Sequence, residues 1–252
     1  MLELRSVARR FGGMMAVDGV SLAVAGGEIA GLIGPNGAGK TTLFNLVAGS
    51  LAPSDGSILL EGEAIGGEPA HRRLARGLGR TFQIPRPFPE MTLLENLLVA
   101  ARHQAGERIW PNFLAPRRIA AEEARNLRKA RELLAFVTLD RLADQPARIL
   151  SGGQRKLLEL ARVMMAEPRL LLLDEPAAGV NAQLLDTIVA RIQDINRQGV
   201  TLLVIEHNMD VIARLCGRVF VMAAGRLLAE GAPSDVARNP QVIEAYLGGA
   251  AA

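Results

Sequence analysis

Four residues in the first fifth of the chain have the types and the spacing of a phosphate-binding turn. Gly34, Gly39, Lys40 and Thr41 satisfy the pattern G-x-x-x-x-G-K-[ST], and the apolar stretch EIAGLIG runs directly into this pattern. Glycines let successive backbone amides point at phosphate oxygens, and the dipole of the following helix adds positive potential. We therefore expect Lys40 to contact the β- and γ-phosphates of a nucleotide and the Thr41 hydroxyl to bind Mg²⁺.

Further polar side chains follow apolar stretches that read as buried strands. Asp174 and Glu175 end LLLLDE, His207 ends VTLLVIEH, and Gln83 ends LGRTFQ. Ligands of open α/β sheets bind beyond the carboxyl ends of the strands. The positions predict that Asp174 holds Mg²⁺ and that Glu175 polarises the water that attacks the γ-phosphate. His207 would hydrogen-bond the γ-phosphate, and Gln83 would meet both metal and water. Singly, a strand-end His or Gln is more often a cap; the combination favours catalysis.

A second glycine-containing helix start lies in ILSGGQRKLLELARVMM. Ser151, Gly152, Gly153 and Gln154 combine a hydroxyl, bare amides and a helix N-terminus, which together favour an anion. One interpretation is an awkward loop, since each glycine costs a helix about 1 kcal/mol. The other is a half-site that faces the phosphate of a second copy. That reading predicts a head-to-tail dimer that two γ-phosphates close and hydrolysis opens.

The remaining pattern predicts the elements that position these groups. LELRSVARR and AVDGVSLAV read as an antiparallel edge, and strands alternate with helices after Ser151. The insert from roughly residue 85 to residue 165 is mainly helical, and TLLE at Thr92–Glu95 fits a capping box. The predicted class is α/β: a P-loop NTPase core with a mostly parallel sheet, an antiparallel β edge subdomain and an inserted helical lobe. We expect a single domain, residues 1–252, with its core at 1–84 and 166–230, its lobe at 85–165 and a C-terminal helical tail at 231–252.

Composition narrows the class of protein. The chain has 252 residues, 49% of them hydrophobic and 22% charged, and its net charge of +3 is too small to indicate nucleic-acid binding. The longest apolar runs fall far short of the roughly 20 residues of a membrane helix. The one cysteine, Cys216, excludes an internal disulfide and fits a reducing compartment. We expect a cytosolic protein whose membrane partner, if it has one, is another chain.

The motifs in their order resemble those of the ABC-type ATPases over almost the whole chain. GPNGAGKTT, Gln83, LSGGQ, LLLLDEP and the histidine of EH correspond to Walker A, Q-loop, signature, Walker B and switch histidine. The resemblance implies ATP and Mg²⁺ as cofactors, with Glu175 as catalytic base and Thr41, Gln83 and Asp174 around the metal. In the D-loop AGVN, Asn181 stands where most of the family has Asp, and its role is left open. The implied nucleotide-binding residues are Phe11, which stacks on adenine, its apolar neighbour Val17, then Gly34, Pro35, Asn36, Gly37, Ala38, Gly39, Lys40, Thr41 and Thr42, and Ser151, Gly152, Gly153 and Gln154.

Longer stretches resemble the ATP-binding subunits of bacterial importers for branched-chain amino acids and related amides. They are GRTFQIPRPFPEMTLLENLLVA, LLLLDEPAAGVN, VIEAYLG and the insertion HQAGERIWPNFLAPRR. The resemblance implies a second ATPase subunit, identical or paralogous, two integral membrane permease subunits and, indirectly, a periplasmic solute-binding protein. It implies a peripheral location on the cytoplasmic face of the inner membrane. Urea, short amides, branched-chain and aromatic-type acids all stay open as the solute.

The segment after Gln83 has two interpretations. Its residues either form ordinary lobe core or line a groove that receives a short permease helix; they are Pro85, Pro87, Phe88, Met91 and Leu93. The loop WPNFLAP, Trp110 to Pro116, packs either on its own lobe or on a partner.

The leading hypothesis is an ATPase that drives import through separate membrane proteins, and two other functions compete with it. A soluble ABC-type ATPase that acts on DNA or ribosomes would tend to have tandem cassettes, coiled-coil insertions or a strongly basic surface, none of which this sequence has. A nucleotide-dependent regulator would need the phosphate-binding turn but not the general base Glu175.

Overall fold

The computed structural model describes residues 1–81, 85–102, 104 and 116–248. The strands are β1 (Leu2–Phe11), β2 (Met14–Val24), β3 (Ile29–Ile33), β4 (Asp55–Leu60), β5 (Glu63–Ala64), β6 (Leu78–Arg80), β7 (Leu170–Asp174), β8 (Thr201–Ile205), β9 (Arg218–Ala223) and β10 (Arg226–Gly231). The helices are α1 (Lys40–Ala48), α2 (Ala70–Ala75), α3 (Leu93–Leu98), α4 (Pro116–Phe136), α5 (Gly152–Met164), α6 (Ala182–Arg197), α7 (Met209–Leu215), α8 (Pro233–Val236) and α9 (Pro240–Gly248). Two short 3-10 turns, Asp140–Leu142 and Ala147–Ile149, precede α5.

The first compact unit comprises Met1–Gln83, Pro168–Ala178 and Asp186–Ala252. Its larger sheet has the strand order β10-β9-β3-β8-β7-β6, in which β10 is antiparallel to β9 and the other neighbours are parallel. Strands β3, β7 and β8 are buried at every residue, because a parallel sheet is covered on both faces. The mostly parallel sheet predicted from the alternation of strands and helices is confirmed.

An antiparallel sheet of four strands, β2-β1-β4-β5, forms the edge of the same unit. A two-glycine turn joins β1 to β2, so that Phe11 pairs with Met14 across the hairpin. One face of this sheet contributes Leu2, Leu4, Val7 and Val20 to the hydrophobic core, which it shares with the apolar side of α1. The predicted antiparallel edge subdomain is therefore present.

The second compact unit comprises Ile84–Glu167 and Gly179–Leu185 and is built from helices. The predicted capping box begins α3: the Thr92 Oγ1 accepts a hydrogen bond from the Glu95 amide at 3.1 Å, and the Glu95 carboxylate accepts one from the Thr92 amide at 2.8 Å. Helix α4 buries Ala130 and Leu134, as the spacing of its apolar residues predicts. In the parts of the chain that the structure describes, no helix has the length and apolarity of a membrane span.

Candidate functional site

The turn between β3 and α1 has the strand–loop–helix context that its sequence pattern requires. Its glycines Gly34, Gly37 and Gly39 have φ angles of 148°, 77° and 97°. A Cβ at Gly34 would lie 2.1 Å from the Met222 carbonyl oxygen, and one at Gly39 would lie 2.4 Å from that of Ala16. Backbone conformation and close approach therefore both require glycine at these two positions.

Lys40 lies folded back onto the turn. Its Nζ donates to the carbonyl oxygens of Gly34, at 2.7 Å, and Pro35, at 2.9 Å. Burial lowers the pKa of Lys40, and the nearby carboxylates of Glu175 and Asp174 act in the opposite direction. The ammonium group is thus placed where a phosphate group could replace the two carbonyls as its partner. Of the other residues of the turn, Asn36, Gly37 and Thr41 are exposed, Pro35 and Thr42 are half-buried, and Ala38 is buried.

Strand β7 ends in the first of the two predicted acidic groups. The Asp174 side chain is buried, and its Oδ2 accepts a hydrogen bond from Arg80 Nη2 at 3.2 Å. Arg80 Nη1 also donates to the Asn45 side chain at 2.6 Å, so one guanidinium joins the carboxylate to α1. The sequence analysis did not select Arg80, although it stands three residues before Gln83. Gln83 itself lies outside the described residues.

Glu175 and His207 meet at the carboxyl ends of neighbouring strands. Glu175 Oε1 lies 2.8 Å from His207 Nε2, and β7 pairs with β8 over its whole length. With the carboxylate ionised, Nε2 must be the protonated nitrogen and donate to Glu175. Glu175 has a φ of 49°, a left-handed conformation that is uncommon for a side chain of its size. The contact brings both predicted catalytic groups to one place, 32 residues apart in sequence.

Glu206 is a residue that sequence reasoning missed. It is almost fully buried, and its carboxylate accepts hydrogen bonds from the amides of Ala177, at 2.7 Å, and His207, at 3.1 Å. One buried carboxylate thus fixes the backbone at His207 and two residues after Glu175. The available signal was its place between a buried strand and His207, where a charged residue needs a partner.

The adenine candidates differ in accessibility. Phe11, at the end of β1, is 40% exposed, whereas Val17 is fully buried in the core. A fully buried side chain cannot touch a base bound at the surface unless the hairpin moves.

The SGGQ segment begins α5 with a second capping box. Ser151 Oγ accepts a hydrogen bond from the Gln154 amide at 3.3 Å, and the Gln154 side chain accepts one from the Ser151 amide at 3.0 Å. The interpretation of this segment as an awkward loop is therefore wrong, because its polar side chains satisfy the helix start. The Ser151 hydroxyl accepts in this pair, which leaves its hydrogen to be donated elsewhere.

The two glycines of this segment have different environments. A Cβ at Gly153 would lie 2.9 Å from Leu184 Cδ1 and 3.2 Å from Val180 Cγ1, so packing within the unit favours glycine there. A Cβ at Gly152 would meet none of the described residues within 4 Å. Asn181 has a local role as well: its Oδ1 accepts from the Leu184 amide at 3.0 Å and caps the start of α6.

The predicted lobe segment divides into core and surface. Leu93 is fully buried, whereas Phe88 and Met91 are exposed by 45% and 37%. The buried Asn96 donates to the Phe88, Met91 and Thr92 carbonyl oxygens and accepts from the Phe88 amide, which holds the exposed turn in shape. Pro85 and Pro87 are half-buried. Of the loop from Trp110 to Pro116, only Pro116 lies in the described residues.

Comparison with known proteins gives matches over nearly the whole chain. The family model described as ABC transporter matches residues 17–178, and the model of the branched-chain amino acid ATP-binding cassette transporter matches residues 226–252.

Individual relatives match from end to end. The chain is 42% identical to a probable branched-chain amino acid transport ATP-binding protein, LivG, from Archaeoglobus fulgidus, over 98% of this chain and 95% of the relative. It is 43% identical to the high-affinity branched-chain amino acid transport ATP-binding protein BraF from Pseudomonas aeruginosa, over 98% of both. A crystal structure of a nucleotide-free ATP-binding cassette from an ABC transporter superposes with a TM-score of 0.85 at 35% identity, over 97% of this chain and 98% of that one.

Proposed function

Because the chain belongs to the ABC transporter family and is one of its ATP-binding, ATP-hydrolysing proteins, we propose that it drives an importer for branched-chain amino acids or related amides and acids. The observation that carries the catalytic part is the contact of Glu175 with His207 at the carboxyl ends of β7 and β8. The carboxylates of Glu175 and Asp174 are also near enough to Lys40 to raise its pKa against the effect of burial. The solute class rests on the printed names of the relatives and on the match to residues 226–252. We further propose that residues 1–252 act as one ATPase domain with a core, a lobe and a tail. The boundaries differ from the predicted ones at Gly179–Leu185, which were predicted as core and group with the helical unit.

Nucleotide binding is assigned to the turn before α1 and to Phe11. The phosphates of the nucleotide would accept hydrogen bonds from backbone amides of the turn. They would also replace the Gly34 and Pro35 carbonyl oxygens as the partners of Lys40. Glu175 would accept a proton from the attacking water, and His207 would hold the carboxylate in place or turn its Nε2 hydrogen toward the γ-phosphate. Gln83 would contact metal and water, as its place in the motif order implies.

Magnesium fits the donors that the chain offers. The described residues contain no cluster of three or more His, Cys, Asp or Glu side chains that could hold a metal ion. An Mg²⁺ ion that is coordinated by phosphate oxygens and waters needs only one or two oxygen ligands from the protein. The Thr41 hydroxyl and the Asp174 carboxylate would supply them. The ion would neutralise charge that develops on the phosphates.

We propose a head-to-tail dimer in which Ser151–Gln154 of one subunit completes the nucleotide site of the other. Two features support this. The Ser151 hydroxyl accepts in the capping box, which leaves its hydrogen for a second partner, and Gly152 is exposed, with no described residue within 4 Å of a Cβ built there. An exposed glycine at a helix start suits a phosphate that approaches from outside. The second subunit is either a copy of this chain or a paralogue.

The catalytic proposal is tested with Glu175→Gln. We expect this variant to bind ATP and form a stable dimer with ATP but to hydrolyse almost none, because the amide cannot accept the proton of water. Calorimetry, size-exclusion chromatography and phosphate release measure the three properties. Glu244→Gln, an exposed site on α9, is the matched control and should behave like the parent. Parent-like turnover of Glu175→Gln would remove Glu175 as the base.

The permease contact is assigned to the exposed turn of the second unit. Phe88 and Met91 present apolar surface on a backbone that Asn96 holds, which suits a short helix of a membrane subunit. Two such permease subunits would place the protein at the cytoplasmic face of the membrane and couple it to a periplasmic binding protein.

The permease contact is tested with Phe88→Ala. The variant should bind ATP normally but lose transport in vesicles, while Ile243→Ala, which is equally exposed on α9, should transport like the parent. Unchanged stimulation of the Phe88→Ala ATPase by the permease would refute this contact.

A further inference from the structure

Arg9 lies beneath the ring of the exposed aromatic residue at the end of β1. Its guanidinium carbon is 4.7 Å from the centroid of the Phe11 ring, within the range of a cation–π contact. The two residues are separated by one position on β1, and the contact places both side chains on the same side of the strand. One side of the ring is thus covered by a cation.

A second contact fixes the guanidinium in this position. Arg9 Nη1 donates to the carbonyl oxygen of Ala52 at 2.9 Å, while its Nε is buried and has no hydrogen-bond partner among the described residues. Arginine can leave a buried N–H unpaired only at a cost in free energy. The side chain is therefore held by one hydrogen bond and by the ring of Phe11.

The exposed part of the ring is what a ligand can reach. Phe11 is 40% exposed and precedes the Gly12–Gly13 turn, where a Cβ would lie more than 4 Å from every described neighbour. The contact that the structure shows for the face of this ring is the one with Arg9. The guanidinium of Arg9 packs against one face of the ring, and its positive charge polarises the π-system.

We infer that Arg9 is a positioning residue for adenine: it holds the Phe11 ring so that the base stacks on the opposite face. The inference rests on the proposed stacking of adenine on Phe11. It predicts a contribution to the binding of the base and none to the binding of the phosphates, which the turn before α1 receives.

The neighbouring Arg10 provides a matched control. Its Nε lies 3.3 Å from the Met15 sulfur, on the partner strand, and it is exposed like an ordinary surface arginine. Arg9→Met and Arg10→Met make the same chemical change at adjacent positions, keep an apolar stem and remove one charge each. A long-range electrostatic effect on a nucleotide would appear in both variants, whereas an effect through Phe11 would appear only in the first.

The experiment measures the binding of ATP and of inorganic tripolyphosphate by isothermal titration calorimetry. We expect Arg9→Met to weaken ATP binding about two- to five-fold and to leave tripolyphosphate binding within error of the parent. Arg10→Met should leave the ratio of the two affinities unchanged. Equal weakening of both ligands by Arg9→Met would show a structural role only, and no weakening of ATP would likewise overturn the inference.

Phe11→Leu separates this inference from the proposal on which it rests. If Phe11→Leu leaves the ratio of ATP to tripolyphosphate affinity unchanged, adenine does not stack on Phe11, and the stacking proposal and the inference both fail. If Phe11→Leu lowers the ratio but Arg9→Met does not, the inference alone fails. In the Phe11→Leu background we expect Arg9→Met to have no further effect on the ratio, because its route to the base has been removed. A full additional effect there would refute the route through the ring.

Discussion

Arg73 anchors the far end of the helix that begins at the phosphate-binding turn. It lies in α2 and is completely buried. Its guanidinium donates to the carbonyl oxygens of Leu46 and Val47 in the last turn of α1, and to those of Glu68, at 2.9 Å, and Gly66, at 3.0 Å. The last carbonyls of a helix have no partner within the helix, and a cation is favoured at this end of the dipole. Arg73 meets both needs from a distant part of the chain.

We expect Arg73→Met to destabilise the protein by about 3–5 kcal/mol. Hydrogen bonds to a charged donor contribute about 1.5–3 kcal/mol each, and the variant removes four of them. The full sum is not expected, since burial also lowers the pKa of Arg73, which shows that its charge is disfavoured there. Methionine keeps most of the apolar stem, so that the effect reports the lost donors. For a chain of this size the loss corresponds to a fall in Tm of roughly 6–20 °C.

Differential scanning calorimetry and urea unfolding measure the change. The control is Arg72→Met, one residue earlier and exposed, which should stay within about 0.5 kcal/mol of the parent. If Arg73→Met lies within about 1 kcal/mol of the parent, the four carbonyls find other partners and the capping argument is wrong.

Two further predictions concern other buried features. Gly34→Ala should abolish ATP binding in calorimetry or prevent folding, since its Cβ would lie 2.1 Å from the Met222 carbonyl oxygen. Gly62 has a φ of 85°, and in the described part of the chain nothing lies within 4 Å of a Cβ built there, so Gly62→Ala should lower the free energy of unfolding by only about 1 kcal/mol. If the two variants lost equal amounts of stability, the steric argument would be wrong. Burial raises the pKa of Cys216 to about 12, so the native thiol should resist iodoacetamide at pH 8 and react after denaturation. Fast labelling of the native protein, followed by mass spectrometry, would show that the thiol is accessible.

Features that depend on a few neighbouring residues could be predicted from the sequence. The capping box at Thr92 involves residues three positions apart, and the turn before α1 depends on its own glycines and on the strand and helix around it. Hydrophobic periodicity likewise predicted the parallel sheet, because a buried parallel strand is apolar at every position. These are local rules, and a sequence displays local spacing directly.

Features that depend on strand order could not be predicted. Because β8 lies beside β7, Glu175 contacts His207 and the Glu206 carboxylate accepts a hydrogen bond from the Ala177 amide. The burial of Val17, which its family resemblance assigns to adenine, follows from packing of the edge sheet. No periodicity in the chain specifies which strands become neighbours.

The sequence by itself determined which chemical groups are candidates for the site: a turn with the phosphate-binding pattern, two strand-end acidic residues and a glycine-containing helix start at Ser151. The tertiary structure alone decided which buried side chains hold these groups in place. Arg73 caps α1 from 27 residues away, and Arg80 joins α1 to Asp174. The physical reason is that a buried charged group takes its partners from whatever the fold brings near it, and that neighbourhood is set by the packing of the whole unit.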